Sequence, residues 1–186
     1  GTGNAVLAGD GLLNTAYYVL LCRCSDGVNF CEAARFMCDC AGVKGMIAGQ
    51  SADLYCAEKG IKDEKYLDYI VKNKTGKLIS AAVAAPAILA GGRYFLELRQ
   101  FGEDLGRRFQ IVDDILDEEG SLEKLGKTSG KDREENKLTY VTFYGAEECR
   151  VLADVMCDEC LKILEGVQGD TQFLRDVVSF VRYREG

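Results

Sequence analysis

The stretch FQIVDDILDEEG, from Phe109 to Gly120, places three aspartates inside an apolar run and follows them with two glutamates. If the segment is helical, Asp113, Asp114 and Asp117 crowd one face, and like charges at that spacing repel each other. The apolar residues at 111, 112, 115 and 116 predict that the same helix has a buried side. Negative charge gathered at the edge of a core therefore needs an explanation.

The spacing alone leaves two explanations open. A solvated acidic face at a helix end accounts well for Glu118 and Glu119, but poorly for Asp113 and Asp114, which lie between Ile-Val and Ile-Leu. Carboxylates on a partly buried face become favourable when a hard cation binds between them. Mg²⁺ takes oxygen ligands of this kind and keeps waters and phosphate oxygens in its shell. The second explanation therefore predicts a site for Mg²⁺ and a phosphate-bearing ligand.

The rest of the sequence has a helical period, with no pattern that predicts a strand ladder and no internal repeat. We therefore expect an all-α protein, with residues 1–186 in a single domain. The predicted helices are Asn4 to Leu21, Phe30 to Cys40, Gly42 to Glu58, Tyr94 to Asp117, Gly145 to Leu164 and Thr171 to Tyr183. A further helix begins at Glu64, has a weak point at Gly76 and is stopped by Gly91 and Gly92. The segment from Gly120 to Asn136, rich in Gly, Lys, Ser and Asp, is predicted to be a loop.

Composition narrows the class of function. The net charge of −7 argues against nucleic acid or an anionic membrane surface as the main partner, and it is compatible with a site that collects cations. We expect no transmembrane segment, because no apolar run has the length of a membrane span, and we see no signal peptide. The chain lacks an initiator Met and opens inside a helical pattern, so we expect its natural beginning to be missing.

The nine cysteines are odd in number and spread through helical patterns, which does not fit a secreted disulfide framework. We interpret them as free thiols that act as small hydrophobic residues in a reducing cytoplasm. A structural zinc site through Cys157 and Cys160 is the less favoured alternative, because a second C-x-x-C pair and histidine are both absent.

Three further segments hold polar groups near apolar ones. In GMIAGQSADL, Gln50 and Asp53 share a helix face, and the glycines at 45 and 49 favour close helix packing over ligand contact. In NKTGKLIS, Lys74 and Thr75 precede an apolar helix, and Lys74 could contact a phosphate. Either pair could instead be ordinary polar side chains on the protein surface. The lysine-rich loop KLGKTSGKDREENK, taken alone, is typical of a solvated loop, but beside the aspartates it could fold over a bound anion.

Taken together, five segments resemble the trans-isoprenyl diphosphate synthases, the polyprenyl synthetases that make farnesyl and geranylgeranyl diphosphate. The segments are AVLAGDGLL, GMIAGQSADL, KTGKLISAA, FGEDLGRRFQIVDDILD and LGKTSGKDREENKLTY. They occur in family order and cover the chain from Asn4 to about Tyr144.

The resemblance implies the all-α isoprenoid (prenyltransferase) synthase fold, with helices around a central cavity and usually a homodimer. It also implies a Mg²⁺-dependent head-to-tail condensation. In that reaction Mg²⁺ draws the diphosphate off an allylic prenyl diphosphate, and the double bond of isopentenyl diphosphate attacks the resulting cation. Metal and lysines stabilise the leaving group, so no protein nucleophile is needed.

The resemblance also implies roles for individual residues. DDILD looks like the second aspartate-rich motif, in which Asp113 and Asp117 would hold Mg²⁺ and Asp114 would support them. Lys74 looks like the lysine that binds the allylic diphosphate, with Thr75 beside it, and Gln110 matches a glutamine near the reacting centre. The remaining matches are two further diphosphate lysines, Lys127 and Lys137, and a face near the prenyl chain formed by Gln50 and Asp53.

Several family features do not appear in this sequence. They are the first aspartate-rich motif, the paired arginines that follow it and an upstream basic patch. We therefore expect an N-terminally incomplete synthase that is inactive by itself. The alternative is a non-catalytic modulatory subunit, or an inactive fragment, that binds diphosphate or a partner synthase. The intact DDxxD motif, diphosphate lysines and glutamine favour descent from an active enzyme.

Overall fold

The structure, a computed structural model, describes residues 1–124 and 138–183 and, within them, the side chains outside positions 120–124. The described part is helical and contains no strand, which confirms the all-α prediction. The α-helices are α1 Thr2–Arg23, α2 Val28–Ala41, α3 Met46–Lys59, α4 Glu64–Val71, α5 Lys77–Leu89, α6 Phe95–Lys124, α7 Tyr140–Glu165 and α8 Gln172–Arg182. A short 3₁₀ turn, Cys24–Asp26, follows α1, and a π-helical turn, Lys72–Gly76, joins α4 to α5.

Helix α6 is the centre of the packing, because both apolar clusters of the core use it. Its second half, with Ile111 and Ile115, packs with residues of α4 and α7, including Leu67 and Cys149. Its first half packs with the end of α7 and with α8. The buried residues of this second cluster are Phe101, Leu105, Cys157, Cys160, Leu164, Val178 and Val181.

All nine cysteines are free thiols in the structure. Five of them are buried, and three of these (Cys149, Cys157 and Cys160) lie on α7. The Sγ of Cys160 is 3.8 Å from the carbonyl oxygen of Phe101 on α6. These thiols therefore serve as small packing groups between the two longest helices.

The largest shifts from the predicted helix boundaries are at the end of α6 and the start of α7. Helix α6 continues to Lys124 instead of ending near Asp117. Its last residues include the helix formers Glu, Leu and Lys, and a single glycine costs only about 1 kcal/mol. Helix α7 begins at Tyr140 instead of Gly145, because Thr139 and Thr142 form a reciprocal capping box there. Gly145, with φ of 77° and ψ of 159°, is not helical, and a kink there divides α7 into residues 140–144 and 146–165.

Helix α1 differs from every other α-helix described above, because none of its residues is buried. Of the helices that the structure describes, the segment Thr2–Asp26 is long and apolar enough to cross a membrane by length and composition. The statement that no apolar run reaches that length was therefore wrong for this segment. Core helices of soluble proteins satisfy the same criterion, so the length alone assigns α1 to no environment.

Candidate active site

The candidate site is built around the π-helical turn, which carries Lys74 and Thr75. The side chain of Asn73 donates to the carbonyl oxygen of Tyr69, one turn earlier, at 2.8 Å. Single π-helical turns inside helices occur frequently at functional sites. The sequence pattern predicts a weak point at Gly76 but does not predict this geometry.

On one side of the turn, α3 approaches so closely that only glycine fits. A β-carbon added to Gly49 would lie 2.2 Å from the backbone nitrogen of Lys74. Asp53 follows one helical turn later, and its Oδ2 accepts from the Nζ of Lys74 at 2.5 Å. The two side chains are 15% and 30% exposed, so the ion pair lies at the margin of the core, still open to solvent. Of the predicted pair on this face, Gln50 is exposed and only Asp53 meets the turn.

On the other side, a glycine of α6 allows a similarly close approach to the turn. A β-carbon on Gly106 would lie 2.6 Å from the Cα of Gly76. Gln110 follows one turn later, and its Oε1 accepts from the hydroxyl of Thr75 at 2.9 Å. This contact places Gln110 beside the Lys74–Thr75 segment.

Asp114 continues this line of contacts. Its side chain is buried, with 5% of the residue exposed. Oδ1 accepts from Nε2 of Gln110 at 2.9 Å, and Oδ2 accepts from the backbone N–H of Tyr140 at 3.0 Å. That N–H belongs to the first residue of α7, where helical N–H groups have no partner inside the helix and favour a negative charge.

Asp113 and Asp117 lie four residues apart on α6, with Asp113 half-buried and Asp117 exposed. Their carboxylates are oxygen donors of the type that Mg²⁺ prefers. Within residues 1–124 and 138–183, no set of three or more acidic, His or Cys side chains is arranged to hold a metal ion. Two carboxylates fit Mg²⁺ as a partial site, because this ion usually keeps several waters and completes its shell with phosphate oxygens.

The comparison with protein families settles the family of this fold. The model of the polyprenyl synthetase family matches residues 1–172. The chain belongs to the polyprenyl synthetase family.

Curated members of this family are similar along most of the chain. The farnesyl diphosphate synthase of Bacillus subtilis is 35% identical over 190 residues, which cover 100% of this chain and 64% of that protein. Geranylgeranyl pyrophosphate synthase 4 of Arabidopsis thaliana is 34% identical over 177 residues, which cover 91% of this chain and 47% of that protein. The chain therefore spans about half to two-thirds of the length of these relatives.

Solved polyprenyl synthetase structures share the fold. The FPP/GFPP synthase of Zymomonas mobilis superposes with a TM-score of 0.81 at 26% identity, covering 96% of this chain and 61% of that one. The geranyltransferase of Helicobacter pylori, crystallised with magnesium and isoprenyl diphosphate, gives a TM-score of 0.75 at 28% identity and covers 95% of this chain and 58% of that one. These superpositions confirm the prediction of an isoprenoid synthase fold.

Two site residues predicted from the polyprenyl synthetase resemblance, Lys127 and Lys137, lie outside the described residues. The structure also contains a cluster that the sequence reasoning missed. Glu103 of α6 pairs with Lys77 at 2.9 Å, and with Lys72 and Arg99 at 3.4 Å each. Burial alone would raise the pKa of Glu103, but the hydrogen bond from Lys77 and the three positive charges hold it below its ordinary value. The i, i+4 spacing of Arg99 and Glu103 is the one signal visible in the sequence.

Proposed function

We propose that the chain forms part of an isoprenyl diphosphate synthase of the farnesyl or geranylgeranyl type. The reaction would be the Mg²⁺-dependent condensation of an allylic prenyl diphosphate with isopentenyl diphosphate. The observation that carries the proposal is the Lys74–Thr75 turn, held between Asp53 and Gln110 on the helix that also bears Asp113 and Asp117. A cation and an acidic helix face in one site are the groups that a metal–diphosphate ligand requires.

Asp113 and Asp117 would hold Mg²⁺, which when bound supplies positive charge that stabilises a departing diphosphate. Lys74 would contribute a second positive charge, with Thr75 beside it. Its pair with Asp53 leaves 30% of the Lys74 side chain open to solvent, where a ligand can compete for the ammonium group. We propose Lys127 and Lys137 as further diphosphate contacts, and Gln50 with Asp53 as the face toward the prenyl chain.

We further propose that this chain is inactive by itself, that it pairs with a second copy and that it works in the cytoplasm. The exposed apolar side chains of α1 support the pairing, because a surface of that kind is typical of an interface. Its exposed large apolar residues are Val6, Leu7, Leu12, Leu13, Tyr18, Val19 and Leu21. No specific contact favours the modulatory-subunit alternative.

A binding experiment tests the proposal without requiring turnover. We expect geranyl diphosphate to bind the chain in the presence of Mg²⁺ and not in its absence, as measured by isothermal titration calorimetry. Lys74→Ala should weaken binding about tenfold or more, because it removes a charge-assisted contact. Lys162→Ala is the matched control, since this exposed lysine lies 17 residues beyond the kink at Gly145, about 25 Å along the helix.

Equal binding with and without Mg²⁺, or equal binding by the Lys74→Ala and Lys162→Ala variants, would contradict the proposed function. The same samples, supplied with isopentenyl diphosphate, should yield no condensation product if this chain is catalytically incomplete.

A further inference from the structure

We propose that Asp114 is a positioning residue rather than a metal ligand. It fixes the orientation of the Gln110 amide and, through it, the direction in which the Thr75 hydroxyl donates. The inference rests on the proposed function where it concerns a diphosphate, but its structural part concerns the chain alone.

The geometry of α6 separates Asp114 from its two neighbours in the DDxxD motif. At about 100° per residue, Asp113 and Asp117 differ by about 40° around the helix, whereas Asp114 is turned about 100° from Asp113 and about 60° from Asp117. Asp114 belongs instead to the line of positions 102, 106, 110 and 114, in which the two glycines contact the π-helical turn and α5. Its carboxylate is therefore buried between helices, while Asp113 is half-buried and Asp117 is exposed.

The chemistry of the four groups fixes the direction of each hydrogen bond. The backbone N–H of Tyr140 can only donate, and an ionised carboxylate can only accept. Gln110 has one donating and one accepting end, which are distinguished by their partners. Because Asp114 accepts at 2.9 Å, the nitrogen of Gln110 must face it, and the amide oxygen must face Thr75. The hydroxyl of Thr75 must then donate to Gln110.

This direction limits what Thr75 can offer a ligand. A hydroxyl whose proton already points to Gln110 presents only lone pairs elsewhere, and a diphosphate oxygen is itself an acceptor. Lys74 would therefore supply the donors to a diphosphate, and the Thr75 hydroxyl would supply none. Asp114 would set this division of roles from a position that touches neither ligand nor metal.

Asp114→Asn tests the proposal because it should reverse the chain of hydrogen bonds. The side-chain oxygen of the new asparagine must accept from Tyr140 N–H, so its nitrogen faces Gln110 and donates. The Gln110 amide then turns over, its nitrogen donates to Thr75, and the Thr75 proton is released toward the ligand side. Asp113→Asn is the matched control, since it removes the adjacent carboxylate from the same helix.

The first readout is the orientation of the Gln110 amide, measured by nuclear Overhauser effects in the chain without ligand. In the wild type, the side-chain amide protons should be nearer the β-protons of Asp114 than the methyl group of Thr75. Asp114→Asn should invert this relation, and Asp113→Asn should keep it. An amide that faces Thr75 in the wild type, or that does not turn in folded Asp114→Asn, would overturn the proposal.

The second readout is the binding of inorganic diphosphate as Mg²⁺ is varied. The Mg²⁺ concentration for half-maximal binding should rise about tenfold in Asp113→Asn and stay within about twofold of the wild type in Asp114→Asn. An equal rise in both variants would make Asp114 a ligand and reject the inference.

Thr75→Val should leave diphosphate affinity within about twofold in the wild-type background but weaken it about tenfold in the Asp114→Asn background. Equal effects of Thr75→Val in the two backgrounds would also reject it.

Two features keep the test decisive. If Asp114→Asn does not fold, the wild type and Thr75→Val still decide the structural part, because Gln110 should keep its nitrogen toward Asp114 in both. If the wild type shows no Mg²⁺-dependent diphosphate binding, the proposed function fails, while the amide orientation still accepts or rejects the role of Asp114.

Discussion

The two sides of the π-helical turn use the same packing device and make different kinds of contact. On the α3 side, a glycine at 49 brings in Asp53, which makes one partly exposed ion pair with Lys74. On the α6 side, a glycine at 106 brings in Gln110, which begins a line of hydrogen bonds that ends in the interior. The first side balances a charge that a ligand can compete for, and the second fixes the direction of a hydroxyl. A site that binds a charged ligand needs both properties. Here Lys74 supplies the charge, and the neighbouring Thr75 supplies the hydroxyl with a fixed direction.

The largest expected effect comes from filling the two close contacts. Gly106→Ala and Gly49→Ala should each lower the free energy of unfolding by about 2–4 kcal/mol, because the added methyl would overlap backbone atoms that cannot move independently. Gly9→Ala is the control, since nothing lies within 4 Å of that position on α1. There we expect a gain of about 0.5–1 kcal/mol, as is usual for alanine in a helix. Urea unfolding of the three variants measures the difference, and a loss at position 9 equal to the loss at position 106 would contradict this explanation.

A smaller loss of stability is expected from substitution of Glu103, which holds α6 through ion pairs with three basic side chains. Its pKa is lowered in the folded chain, so its contribution to stability is present above the ordinary value of 4.5 and is lost as the pH falls below it. Glu103→Gln should therefore lower stability by about 1–2 kcal/mol at neutral pH, and the gap to the wild type should narrow at about pH 3.5. Glu97→Gln, an exposed change on the same helix, should follow the wild type at both pH values. A gap that is constant with pH would show that the charge of Glu103 is not its cause.

The smallest change in stability is expected at Asp53. Asp53→Asn should cost less than about 1 kcal/mol, because the ion pair with Lys74 is partly exposed and screened by solvent. Geranyl diphosphate should bind several-fold more tightly in this variant, since Lys74 would no longer be shared with a carboxylate. Asp10→Asn on α1 is the control for the change in net charge. Weaker binding after Asp53→Asn would show that Asp53 orients Lys74 for the ligand, in which case the two sides of the turn would act alike.

The sequence predicts the helical class, because the hydrophobic period carries that information. It also indicates that Gly49 serves packing, which the 2.2 Å approach to Lys74 confirms. It does not predict the partner of Asp114, because that partner is a backbone N–H 26 residues away, and every residue except proline has one. The same reason explains why the spacing alone places three carboxylates on one helix face, although the structure buries Asp114 between helices.

The buried thiols of α7 can serve as probes of local opening between α7 and α6. Burial raises the pKa of Cys149 to about 11 and also raises the pKa of Cys157 and Cys160, so these thiols hold their protons and are shielded from reagents. A maleimide should modify the exposed Cys22 and Cys31 at once and reach the α7 thiols only when that helix separates from α6. The labelling rate of each cysteine, followed by mass spectrometry, would then report how often each end of the contact between α6 and α7 opens. Cys149 would report on the end beside Asp114, and Cys160 on the end beside Phe101.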